Sequence, residues 1–275
     1  MNCTPLVPPR VVAIARDSYL TPTNPLADPV HLPGVAPPKY GQDITSGYNR
    51  TAPRKQSVGS TPDELKPKMR KLLAIFAGGD TSGMAARLVD AFLRKQSSVS
   101  YFDDAVLNAA ASKHANIEHF CGAALSAPGS RYAPSGKTRI HQALKAAGWD
   151  IKNLAAPTDL GVPAFNDGNK AFGTGDFNNG LGLMINGVQH VYVVAQNYDY
   201  DPKAARYCIG LKYVFYDVFG LDDDDLEEFG ATSGSFTAST ASVGITAWWQ
   251  LQHQHGYAPL VTRIVIEKTH EVPAT

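Results

Sequence analysis

The stretch RYCIGLKYVFYDVF, residues 206–219, decides how the second half of this chain is read. Between Arg206 and Asp217 it carries only one charge, Lys212, among aromatic and β-branched residues. Such side chains fit a packed, pleated surface, so the stretch reads as a buried strand. LVTRIVIE, residues 260–267, has the same character. Upstream, Leu181 to Ile185, Asn186-Gly187 and Val188 to Gln196 read as a β-hairpin, because Asn-Gly supplies the positive φ angles of a type I′ turn. An acidic run and a Gly/Ser/Thr-rich loop from Gly230 to Gly244 separate the last two strands, and Ile245 to His255 fits a strand or a short helix.

The period changes toward the N-terminus. Thr61-Pro62-Asp63-Glu64 has the ingredients of a helix start: Thr at the N-cap, Pro at the first position and Glu three residues on. Leu65, Met69, Leu72, Leu73 and Phe76 follow at helical spacing, and Gly78-Gly79 stop them. Met84, Leu88 and Phe92 mark a second helix, with Asp80 or Thr81 to cap it. The alanine-rich stretch Asp103 to Leu125 marks a third, and Thr138 to Ala147 a fourth.

Nine of the 19 prolines fall in the first 50 residues, so residues 1–60 read as an extended arm in which regular elements cannot run far. The expected fold class is α+β: an N-terminal helical half (61–150) packed on a C-terminal, mostly antiparallel β-sheet (151–275), preceded by the Pro-rich arm.

Twenty-five basic residues balance 25 acidic ones, which argues against nucleic-acid binding by the whole surface. No apolar run reaches the roughly 18–20 residues of a bilayer span, so no transmembrane segment is expected. The first residues show no Sec-type signal peptide, and synthesis in the cytosol is expected. Cys3, Cys121 and Cys208 form an odd set without CxxC spacing, which argues against a disulfide framework or a cysteine zinc site.

Seven acidic residues lie between Asp217 and Glu228. Asp217 ends a hydrophobic strand, where it would act as a base or metal ligand. Asp222 and Asp224 could hold a divalent cation such as Mg²⁺ or Ca²⁺, or cap a helix that starts there. In AWWQLQHQHGYAP, residues 247–259, His253 and His255 share one face of a strand but diverge on a helix. Trp248, Trp249 and Gln252 form a candidate ligand platform, with core packing as the alternative for the tryptophans. Asp176 and Asn178 precede the expected hairpin and could reach a site at its mouth.

Taken together, IFAGGDTSGMAARLVDAFL, TRIHQALKAAGWDI, GDFNNGLGLMINGVQ, LKYVFYDVFGLDDDDL and ITAWWQLQHQHGYAPLVTRI resemble an uncharacterised proteobacterial family associated with type VI secretion and polymorphic-toxin loci. The resemblance covers about residues 70–268 and implies an antibacterial effector, with secretion machinery and a cognate immunity protein as partners. It implies loading from the producer's cytosol and action in the target cell, in its periplasm. Tyr216-Asp217 also resembles the Tyr-Asp pair of colicin M-type toxins, which hydrolyse the lipid-linked peptidoglycan precursor with an Asp/Tyr/Asp/Arg cluster. The arginine expected shortly downstream is absent, the nearest being Arg206 and Arg263. The expected function is therefore that of a hydrolytic effector using Asp217, Tyr216, His253 and His255. The alternative is a non-enzymatic, secretion-associated adaptor or binding protein.

Overall fold

The computed structural model describes residues 3–16, 28, 30–31, 60–130, 139–165, 174–176, 178–188, 190–231 and 239–275. The side chains of Thr174 and Asp224 lie outside that description. Six strands form one mixed sheet: β1 (Pro5–Arg16), β2 (Ser100–Phe102), β3 (Thr158–Gly161), β4 (His190–Asp201), β5 (Arg206–Phe219) and β6 (Leu260–Pro273). Their spatial order is β2-β6-β5-β4-β1-β3. The pairs β1–β3 and β2–β6 are parallel, and the remaining pairs are antiparallel.

This arrangement overturns the expected sequence of arm, helical half and antiparallel half. Residues assigned to the arm supply β1, which sits inside the sheet between β4 and β3. A strand also lies within the expected helical half. Proline removes a ladder donor and is tolerated in sheets only at starts, edges and bulges. Here the β1–β4 register breaks between Pro5 and Arg10, which accommodates Pro8 and Pro9, and the apolar run Val11 to Ala15 then pairs regularly save for one shift. The rest of the expected arm, apart from residues 28, 30, 31 and 60, lies outside the described residues.

The helices are α1 (Pro62–Arg70), α2 (Leu72–Phe76), α3 (Met84–Leu93), α4 (Ala105–Ala111), α5 (Ala115–Leu125), α6 (Ile140–Ala146), α7 (Leu181–Met184), α8 (Asp223–Phe229) and α9 (Thr240–His253). Thr61 and Glu64 form the expected capping box of α1. The single helix expected over Asp103 to Leu125 is two, because His114 caps α5 by accepting from the Asn116 amide.

The expected hairpin at Asn186-Gly187 is also overturned, since Leu181–Met184 is a turn of helix. Asn179 Oδ1 accepts from the Leu181 amide, and Gly180 enters the helix at φ +85, where a Cβ would lie 3.0 Å from Ala85 Cβ. The hairpin that does form joins β4 to β5, with Asp201 accepting from the amides of Lys203 and Ala204.

One sheet face buries Val193, Leu211, Tyr213, Phe215 and Ile264 against the helices in a large core. The other buries a smaller cluster of Tyr192, Val194, Val214, Tyr216, Val218 and Val261. In α9, Gly244 lies against α1 and α2: a Cβ there would sit 2.6 Å from Leu72 Cδ2 and 3.3 Å from the Lys68 carbonyl. Alanine ordinarily gains about 1 kcal/mol over glycine inside a helix. Because of this contact, Gly244→Ala is expected instead to destabilise by roughly 1–3 kcal/mol, the cost of overpacking. Urea unfolding reads the sign directly.

Candidate functional site

Successive side chains of a strand point to opposite faces, so Tyr216 and Asp217 cannot share a site. Asp217 lies on the helix-covered side, opposite Thr262 on β6. Its Oδ2 accepts from the Asn186 amide at 2.9 Å, so the carboxyl closes the loop after α7. Burial pushes its pKa up to about 7, against the opposing effect of backbone donors at Asn186, Val218 and Gly187.

The folded state therefore keeps this proton between about pH 4 and 7, where the unfolded chain releases it. Stability from this group is full below about pH 4 and is lost as pH rises through 7. Buried histidines act in the opposite sense: His190 is pushed down to about 4, and His141, His253 and His270 are also lowered, in each case chiefly by burial. The difference between wild type and Asp217→Asn isolates the carboxyl. Asp217→Asn is expected to gain stability relative to wild type as pH rises from 5 to 8, measured by thermal unfolding.

Tyr216 and Asp217 are thus separated by the sheet, and the remaining candidates are held by local partners. Asp222 caps α8 by accepting from the Asp225 amide at 3.0 Å, and Asp225 reciprocates to the Asp222 amide. Asp223 accepts from Trp249 Nε1 at 3.1 Å. Among the described residues, no group of three or more His, Cys, Asp or Glu side chains is placed to hold a metal.

Residues 240–253 are helical, so His253 and His255 diverge. His253 Nε2 donates to the Leu221 carbonyl at 2.6 Å, and His255 Nε2 donates to the Ser60 carbonyl at 3.0 Å. Gln252, fully buried, receives the Leu221 amide and donates to its carbonyl, much as a neighbouring strand would. Trp248 stacks on Phe219 with centroids 4.2 Å apart, as core. Asp176 pairs with His114 at 3.2 Å, and the Asn178 carbonyl accepts from the Gly79 amide. Asp217 is held by the Asn186 amide and His253 by the Leu221 carbonyl, so the two have different partners.

What the structure does assemble lies on the second sheet face, around Arg263. Tyr216 and Arg263 are directly opposite on β5 and β6. The Tyr216 hydroxyl donates to Asp28 Oδ2 at 2.5 Å. Arg263 reaches Asp28 Oδ1 through NH1 at 2.9 Å, and grips Asp103 with Nε at 2.8 Å and NH2 at 2.6 Å. Its guanidinium carbon lies 4.1 Å from the ring centre of Tyr101, a cation–π contact. The two carboxylates raise the arginine's pKa against the opposing effect of burial.

Asp28 and Tyr216 are buried, whereas the Asp103 side chain is 51% exposed, so the cluster opens on the Asp103 side. Residues from four distant segments meet here: 28, 101–103, 216 and 263. Asp28 and Asp103 carried no signal in the sequence beyond their type, since nothing local marks either as a partner of β6.

No protein-family model, curated protein or solved structure matches the chain.

A second finding bears on where the protein works. Cys3 and Cys208 form a disulfide with Cα atoms 5.4 Å apart, contrary to the expectation from cysteine count. Spacing could not show it, because 205 positions separate the pair and only the β1–β4–β5 packing brings them together. Cys121 is buried and free, and burial pushes its thiol up to about 12, so it is not a ready nucleophile.

Proposed function

We propose that this chain is a secreted antibacterial effector that hydrolyses a target-cell envelope component, with Tyr216, Asp28, Arg263 and Asp103 as its centre. The observation that carries the proposal is the meeting of these four residues in one half-open cluster. They are also the residue types that the colicin M resemblance implies, in a different chain order and with Arg263 as the arginine. The Tyr216 hydroxyl holds Asp28, and Asp28 holds the Arg263 guanidinium. A water entering on the open Asp103 side would attack the bound carbonyl or phosphoryl centre as the bond to the leaving group breaks, and the leaving oxygen takes the water's proton. Arg263 would stabilise charge developing on a carbonyl or phosphoryl oxygen, which takes the place of the exposed Asp103 on its Nε/NH2 fork. The pyrophosphate of a lipid-linked peptidoglycan precursor fits that fork. The disulfide supports work in an oxidising compartment, such as a periplasm. No helix among the described residues is long and apolar enough to cross a membrane.

One observation favours a second reading. Every nitrogen of Arg263 already faces a carboxylate, as in a cluster that only holds structure, which suits a binding protein or adaptor. Periplasmic expression in a sensitive cell separates the two. Tyr216→Phe removes one hydroxyl and leaves the Arg263 pairs intact, so it should fold, which circular dichroism checks. Loss of killing by the folded variant is expected. Killing at the wild-type level by folded Tyr216→Phe would sink the hydrolytic reading, and so would wild-type protein that fails to kill.

A further inference from the structure

On the helix-covered side of the sheet, two adjoining hollows of about 330 and 390 Å³ open between α5, the turn that follows it, α6 and the end of β6, sharing Ala127 and Ser130. The first is lined by Glu118, Cys121, Lys268 and His270, the second by Ser126, His141, Gln142 and Lys145. Lys268 and His270 pair with Leu211 and Ile209 of the core, so both face the helices. As residues i and i+2 of a strand they stand roughly 7 Å apart on one face and flank a single spot.

One nitrogen at that spot lacks what burial normally demands, and a charged one stands near it. Among the described residues, His270 Nε2 is buried without a hydrogen-bond partner. Lys268 is half-buried, and no hydrogen bond or ion pair is found for it among the described residues. Native structures pair nearly all buried polar atoms, so an orphan beside a free ammonium points to an acceptor that arrives from outside. Such an acceptor would take one hydrogen bond from each group. Glu118 lines the same hollow and opposes an extended polyanion, which restricts the ligand to a compact one. Cys121 below it is not a ready nucleophile, which makes this a binding site rather than a thiol centre.

We propose that the hollow between α5 and β6 binds a compact oxyanion, the phosphate or carboxylate group of a small molecule, through Lys268 and His270. The body of that molecule would occupy the adjoining hollow beside His141 and Lys145. The site lies on the opposite side of the sheet from Arg263 and does not depend on the hydrolytic reading.

Titrating the full chain with inorganic phosphate, and separately with acetate, while following the His270 ring signals by NMR tests it. Saturable shifts centred on His270 are expected with phosphate, acetate or both, and the probe that saturates names the group. Lys268→Gln is expected to weaken that binding by roughly tenfold or more, the loss of one charge-assisted hydrogen bond. His270→Asn is expected to weaken it several-fold. The absence of a saturable shift at millimolar probe would overturn the site, as would equal affinity in folded Lys268→Gln. Neither variant touches Tyr216 or Arg263, so loss of anion binding without loss of killing separates the two proposals.

Discussion

Reduction of the Cys3–Cys208 disulfide is expected to lower the melting temperature by roughly 5–15 °C. Removing a native disulfide typically costs about 2–5 kcal/mol, and a bridge across 205 positions restricts the unfolded chain strongly. For a chain of this size about 1 kcal/mol shifts the midpoint by roughly 2–4 °C. The end of β1 is also held without the bond: Thr4 donates from its amide and hydroxyl to Asp199, and its carbonyl accepts from the Tyr198 amide. The loss should therefore loosen β1 before it unfolds the core, so amides between Val11 and Ala15 should exchange faster in reductant. Cys3→Ser should melt at the reduced midpoint and show no further response to reductant. Equal midpoints with and without reductant in wild type would show that the bridge contributes nothing to stability.

The second large effect is at Arg263. Arg263→Met removes the only cation hydrogen-bonded to the buried Asp28 carboxylate among the described residues. Breaking one partner of a buried pair costs about 3–5 kcal/mol, because the remaining charge keeps its desolvation penalty. Removing both charges is far less costly when the volume is kept. Arg263→Met combined with Asp28→Asn is therefore expected to be more stable than Arg263→Met alone, with a coupling of at least about 1 kcal/mol in a double-mutant cycle. Strict additivity of the two single losses would mean that the pair is not coupled. Tyr216→Phe, in contrast, should cost only about 1 kcal/mol, since Asp28 keeps its arginine.

How much of this was legible depends on how local each signal is. Thr61, Pro62 and Glu64 lie within four residues, so the start of α1 could be read outright, and the strands at 206–219 and 260–267 declared themselves by composition. Leu181 to Ile185 reads as a hairpin strand yet holds a turn of helix, because a short apolar run has no period long enough to separate the two. The Asn-Gly signal misled there because the Asn186 amide is taken by Asp217, a residue of another strand. β1 was hidden by prolines that occupy only the broken part of its ladder. The Arg263 cluster and the disulfide were illegible for one reason: each joins residues that only the finished sheet makes neighbours.

The position of β1 has a consequence for the order in which the protein is made. β1 has no partner until β3 and β4, beginning at Thr158 and His190, have been synthesised. Until then Val11 to Ala15 is an apolar segment without a ladder, the kind of stretch that sticks to other chains. Such non-local pairing is slow to form. β1 thus waits while more than a hundred further residues are made. A nascent chain halted before β4 should bind holdase chaperones through residues 11–15, and release should follow once β4 and β5 have emerged.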